Sequence, residues 1–199
     1  MVAQLHQTHY TVEEYLELDR NSLDARYEYY DGSIRMMSGG TNPHGLIGAN
    51  VIIALGNALL DSPCSVRTSD AHVQINVARY VHPDVTVTCD PEDLVGEILH
   101  SPVIVFEVLS PNTAAFDRGE KADYYRMVPS LMEYVLIEQS RMLVQVQRRH
   151  NESNLWTLEN YGEGDTVVLK SINVTIPIAD FYRKVVLPET AAPAPEGTP

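Results

Sequence analysis

The sequence predicts an α/β or α+β fold, a sheet covered by helices, and three observations carry that expectation. Residues 66–89 alternate apolar and polar positions at the period of a strand. The stretch "VIVFEVL" at 103–109 is an almost unbroken apolar run, and "PHGLIGANVIIALGNALLDS" from Pro43 spaces its apolar residues as a helix does. Helices thus fall before and after the central strands, the mixture that lets helices bury a sheet.

Each element has a local cause. "TVEEYLELDR" opens on Thr11 with Glu14 three residues later, the capping-box pattern of a short first helix. In "RYEYYDGSIRMMS", Asp31-Gly32 separates two β-prone runs and supplies the positive φ of a tight hairpin, with Glu28 in its first strand. The second helix begins at Pro43, with His44 in its first turn. "VRTS", "HVQINV" and "HPDVTVTCD" read as strands; in the last, Asp84, Thr86 and Thr88 share one face, which is expected to be wet. "PEDLVGEILHSP" is a loop or short helix. The strand at 103–109 follows, then the turn "SPNT", then a helix in "DRGEKADYYRMV" that Pro129 stops. "LMEYVLIEQ", "MLVQVQRR", "LWTLENY" and "TVVLKSI" continue as strands, and "IADFYRKV" forms a short last element. Residues 1–187 are expected to form one domain. Residues 188–199, rich in Pro and Ala, are expected to be a disordered tail.

Composition narrows the function classes. The 199 residues carry 27 Asp and Glu against 14 Lys and Arg, a formal charge of −13, which argues against tight non-specific binding of duplex nucleic acid. The short basic clusters, Arg118, Lys121 and Arg126 in one and "QRRH" at 147–150 in the other, read as solvated surface. Residues 1–9 lack a secretory signal, and the most apolar window is too short and interrupted to span a bilayer, so a cytoplasmic, non-membrane protein is expected. Cys64 and Cys89 form no CxxC pair and are expected to be small reduced core residues. His72 and His82 show no ligand spacing and read as structural.

Glu107 is the anomaly. Both faces of its strand look buried, and an unpaired carboxylate there costs several kcal/mol. It must be protonated, paired with a cation, or bound to a metal. Upstream stands Pro83-Asp84 and downstream Lys121, and two acids with one lysine on neighbouring elements suit a hard divalent cation. The bland alternative is a structural ion pair of Glu107 with Lys121 or an arginine. Asp117, four residues before Lys121, offers the lysine a purely local partner.

"HPD" at 82–84, "VIVFEVLSPNT" at 103–113 and "DRGEKADYY" at 117–125 together resemble the signature of the PD-(D/E)XK nuclease superfamily, and within it the Uma-type restriction endonuclease family. The acidic hairpin and the His-led helix extend the likeness to roughly Tyr10–Tyr182. The resemblance implies a restriction-endonuclease-like mixed central β-sheet flanked by helices, Asp84 and Glu107 as ligands of Mg²⁺ (Mn²⁺ substituting), and Lys121 as the catalytic lysine. Glu28 becomes a further acid at the metal edge, and His44 a phosphate contact or proton donor. The residue two after Glu107 is Leu109, so the lysine has moved from the strand to the following helix. DNA is the implied substrate and a homodimer the implied assembly. The rival from another class is a non-catalytic, nuclease-like dimeric binding or regulatory module.

Overall fold

A computed structural model describes residues 9–37, 39–150 and 155–188. Helix α1 (Val12–Asn21) starts at the expected capping box, Thr11 and Glu14 each bonding the other's backbone N–H. The hairpin β1 (Tyr27–Tyr30) and β2 (Ser33–Met36) turns at Asp31 and Gly32, both at positive φ (49° and 95°). That turn fixes a register in which Glu28 faces Arg35 across the ladder. Helix α2 (Asn42–Ala58) is capped by Thr41, whose hydroxyl accepts the His44 N–H. Strands β3 (Ser65–Thr68), β4 (His72–Asn76), β5 (Arg79–Val81) and β6 (Val85–Thr88) follow. After a 3₁₀ turn come β7 (Ile98–Leu99) and β8 (Pro102–Leu109), the strand of Glu107.

The helix expected over "DRGEKADYYRMV" is two short ones, α3 (Ala114–Arg118) and α4 (Glu120–Arg126), broken at Gly119. The chain continues through β9 (Glu133–Glu138), β10 (Leu143–Arg149), β11 (Trp156–Gly162), β12 (Thr166–Leu169), β13 (Val174–Pro177) and α5 (Ile178–Phe181).

These elements build two mixed sheets and a hairpin. The larger runs β11-β10-β9-β8-β6-β3, antiparallel except for the central β8–β9 pair; the other runs β2-β1-β5-β4-β7, parallel only at β4–β7. One face of the larger sheet packs Val85, Val87, Phe106 and Val135 against Ile47, Val51 and Leu55 of α2 and against Phe181. The opposite face presents Val105, Leu109, Tyr134 and Leu136 to α4 and to Tyr30, Val73 and Val81 of the second sheet. Glu107 shares that second face by strand alternation. Of the expected 188–199 tail, only Pro188 falls within the described residues.

Three expectations are corrected. The Thr86–Thr88 face is buried, because Thr88 donates to the Asp93 carboxylate (2.7 Å), which also takes the backbone N–H groups of His100 and Ser101. The cysteines are not reduced: β3 and β6 pair Ser65 with Thr88, and the next pair in that register is Cys64 with Cys89, joined as a disulfide. Nor is "QRRH" a solvated cluster. Arg148 is buried against Glu133 at 2.8 Å and also pairs with Glu159, while Arg149 donates to the carbonyls of Arg126, Val128 and Leu131.

Candidate active site

Antiparallel pairing of β6 with β8 sets Val85 opposite Phe106, and one step further along the register brings Asp84 opposite Glu107. The Val108 N–H donates to Asp84 Oδ2 at 2.7 Å, fixing that carboxylate at the mouth of the strand pair. His44, in the first turn of α2, places Nε2 3.2 Å from the same oxygen.

Lys121 reaches the centre from the first turn of α4. Its ammonium lies 2.8 Å from Glu107 Oε1 and 2.9 Å from Glu28 Oε1, whereas Asp117 is 4.0 Å away, so the local i,i+4 pair does not account for the lysine. Glu28 is no exposed hairpin carboxylate. It is buried, accepts the Tyr30 hydroxyl at 2.8 Å and takes the His82 N–H at 3.3 Å. Tyr125 donates its hydroxyl to Glu107 Oε1 at 3.0 Å. All five residues singled out in the sequence, Glu28, His44, Asp84, Glu107 and Lys121, line one cavity of about 320 Å³. A neighbouring cavity of about 610 Å³ shares His44, Asp84, Met37, Gly39 and Gly40 with it.

The electrostatics follow from burial and crowding. Burial pushes the Glu107 carboxyl well up; Lys121 opposes this, while Asp84, Asp117 and Glu28 push it further. Burial works against the Lys121 ammonium, but the Glu107 and Glu28 carboxylates outweigh it and hold the lysine well above its usual range. Burial also raises Asp117, with Lys121 in opposition. For His44, burial disfavours the cation, yet Asp84 raises the imidazole above its ordinary value. Carboxylates therefore outnumber the single ammonium in a buried space. The carboxylate oxygens of Asp84 and Glu107 are the donor type that a hard divalent cation takes.

Sequence reasoning passed over several neighbours. Tyr125 reads as packing, and only its place over β8 turns its hydroxyl to Glu107. Arg35 lines the same cavity, its guanidinium 4.4 Å from the Phe116 ring centre and 5.1 Å from that of Tyr30. The Asp31-Gly32 turn held the signal for Arg35, since a two-residue loop sets it opposite Glu28. His72 and His82 are also closer than their separation in the chain implies, with ring centres 4.1 Å apart beside Asp19.

A solved structure from Anabaena variabilis, described as "a putative nuclease belonging to DUF820", superposes with a TM-score of 0.72 at 16% identity, covering 89% of this chain and 99% of its own. The likeness shows that the two chains share a fold. Two uncharacterized proteins of Synechocystis sp. (strain ATCC 27184 / PCC 6803 / Kazusa) are similar in sequence. One, slr1290, is 35% identical over 173 residues, 86% of this chain and 90% of the relative. The other, sll1609, is 29% identical over 133 residues, 65% of this chain and 75% of the relative. The model of the Uma2 family, described as "Putative restriction endonuclease", matches residues 12–179. The chain therefore belongs to the Uma2 family.

Proposed function

We propose that this protein is a metal-dependent endonuclease that hydrolyses DNA phosphodiester bonds. The observation that carries the reading is the convergence on one cavity of Asp84, Glu107 and a lysine buried against two carboxylates, in a chain of a restriction-endonuclease family. Asp84 and Glu107 would hold Mg²⁺, with Mn²⁺ as a substitute, and the ion would supply a water of lowered pKa.

The chain's own residues do the rest. Lys121 positions the attacking hydroxide and stabilises the charge that develops on the phosphate oxygens, while Tyr125 and Glu28 orient the Glu107–Lys121 pair. A water that has given its proton to bulk solvent adds at phosphorus as hydroxide while the bond to the leaving oxygen breaks. His44, which Asp84 favours in its protonated form, is the group at the rim able to give that oxygen its proton. Arg35 adds a second fixed cation to a cavity that Lys121 shares with Glu28, Asp84, Glu107 and Asp117, a place for a flanking phosphate. A homodimer would bring two such centres to the two strands of a duplex.

The test is cleavage of supercoiled plasmid and of short duplexes with Mg²⁺ or Mn²⁺, alongside calorimetric metal titration. Wild type is expected to bind the ion and nick DNA, and Glu107→Ala to do neither. Wild type that binds neither ion, with or without an oligonucleotide, would instead favour the non-catalytic dimeric module, in which Lys121 and Glu107 are only an ion pair.

A further inference from the structure

Three residues far apart in the chain meet behind the carboxylate centre. Asp19 comes from the last turns of α1, His72 opens β4, and His82 follows β5. His72 Nε2 lies 3.0 Å and His82 Nε2 3.6 Å from Asp19 Oδ2, and one ligand atom from each residue fits within 4.8 Å of the others. Bonds of about 2.0–2.1 Å in a tetrahedral zinc site put neighbouring ligand atoms about 3.3 Å apart, a value these two separations bracket.

The remaining atoms are arranged as supports for ligands. The Tyr27 N–H donates to Asp19 Oδ1 at 2.7 Å, leaving Oδ2 to the imidazoles. His82 Nδ1 lies 3.0 Å from the Ser69 carbonyl oxygen, an acceptor only, so this nitrogen carries the proton and Nε2 of the neutral ring a lone pair. His82 is fully buried and Asp19 is 5% exposed, yet neither His72 Nε2 nor His82 Nε2 has a hydrogen-bond partner. Both imidazoles lie within ion-pair range of Asp19 Oδ2, but neither aligns a ring N–H with that oxygen as a hydrogen bond requires. Asp19 and His72 also line a cavity of about 500 Å³, an entry path and a place for a water as fourth ligand.

We propose that Asp19, His72 and His82 form a second metal site, distinct from Asp84 and Glu107, for a divalent cation of the Zn²⁺ class. Two imidazoles and one carboxylate are a borderline donor set, unlike the all-oxygen centre next door. The two sites adjoin: the backbone N–H of His82 donates to Glu28, whose carboxylate pairs with Lys121. The existence of the second site does not depend on the chain cutting DNA.

The test is a titration of the chelator-treated full chain with Co²⁺, read by visible d–d absorption, followed by displacement with Zn²⁺ and thermal unfolding with and without Zn²⁺. Wild type and Glu107→Gln are both expected to bind one Co²⁺ per chain tightly, to yield it to Zn²⁺, and to melt higher with Zn²⁺. His72→Ala and Asp19→Asn, checked for folding by circular dichroism, are expected to bind Co²⁺ at least about 100-fold more weakly, beyond the usual cost of losing a mere outer partner. If neither variant folds, the comparison of wild type with Glu107→Gln decides alone. No Co²⁺ bands and no Zn²⁺-dependent melting shift in wild type would overturn the site, as would bands that persist in folded His72→Ala or vanish in Glu107→Gln.

Discussion

The Lys121 ammonium stands 2.8 Å from Oε1 of Glu107, an ion pair buried between α4 and β8. Removing its cation leaves Glu107 and Glu28 facing each other out of water. Lys121→Met is therefore expected to lose about 3–5 kcal/mol of stability in chelator, by urea unfolding, along with any cleavage activity. Adding Glu107→Gln to that variant should recover part of the loss, the non-additive signature of a coupled pair. A Lys121→Met protein that unfolds at the wild-type urea midpoint would refute the pairing.

Asp84 makes a backbone hydrogen bond besides its proposed role as a metal ligand. Clustering of carboxylates alone predicts that Asp84→Ala abolishes cleavage at little cost to stability, because repulsion is relieved. Its hydrogen bond from the Val108 N–H changes that expectation. Alanine leaves the N–H without its acceptor, a cost of about 1–3 kcal/mol, whereas Asp84→Asn keeps an acceptor oxygen. Asn is thus expected to unfold near wild type, Ala clearly earlier, and neither to cut DNA; equal urea midpoints for the two would remove the structural job.

His44 supplies a pH signature in the chelated protein. Burial opposes its cation, but Asp84 raises the folded-state value above the unfolded one, so the stabilisation is fully present below about pH 6.5 and is lost as pH rises through the higher folded value. The stability gap between wild type and His44→Gln should be widest in mild acid and close toward alkaline pH. A gap that widens with rising pH would contradict the Asp84 contact.

The Cys64–Cys89 bridge joins residues 25 apart, and closing a loop of that size in the unfolded chain is worth about 3.5 kcal/mol. Thermal unfolding with and without a thiol reductant, and of Cys64→Ser with Cys89→Ser, should show that loss to a similar extent. An unchanged midpoint would mean that the bridge contributes nothing to stability in solution.

Much of the fold was legible because its signals are local. The capping box at Thr11, the hairpin at Asp31-Gly32 and the stop at Pro129 each act over four residues or fewer. The misreadings share another cause. Thr88, Arg148 and the cysteines take their environments from other elements, the 3₁₀ turn that carries Asp93, the strand of Glu133 and the strand paired across the sheet, and no spacing rule reports where those will stand. Within the site, Asp84, Glu107 and Lys121 could be picked out in order, whereas Glu28 as a second partner of the lysine, and Tyr125 as a donor to Glu107, needed the second sheet and α4 to be in place.

The parallel pairing of β8 with β9 has a consequence for how such sites are found. Two parallel neighbours cannot be joined by a hairpin; the chain must climb off the end of β8, cross over the sheet and come back to start β9. Whatever lies on that return path is suspended above β8 whether or not its number is close to that of Glu107. Lys121 rides on this bridge, so the positive charge can leave the strand for the overpass without changing its address in space. A search for relatives that insists on a lysine two residues after the acid will pass this chain by, while one that asks what hangs over the acid will not.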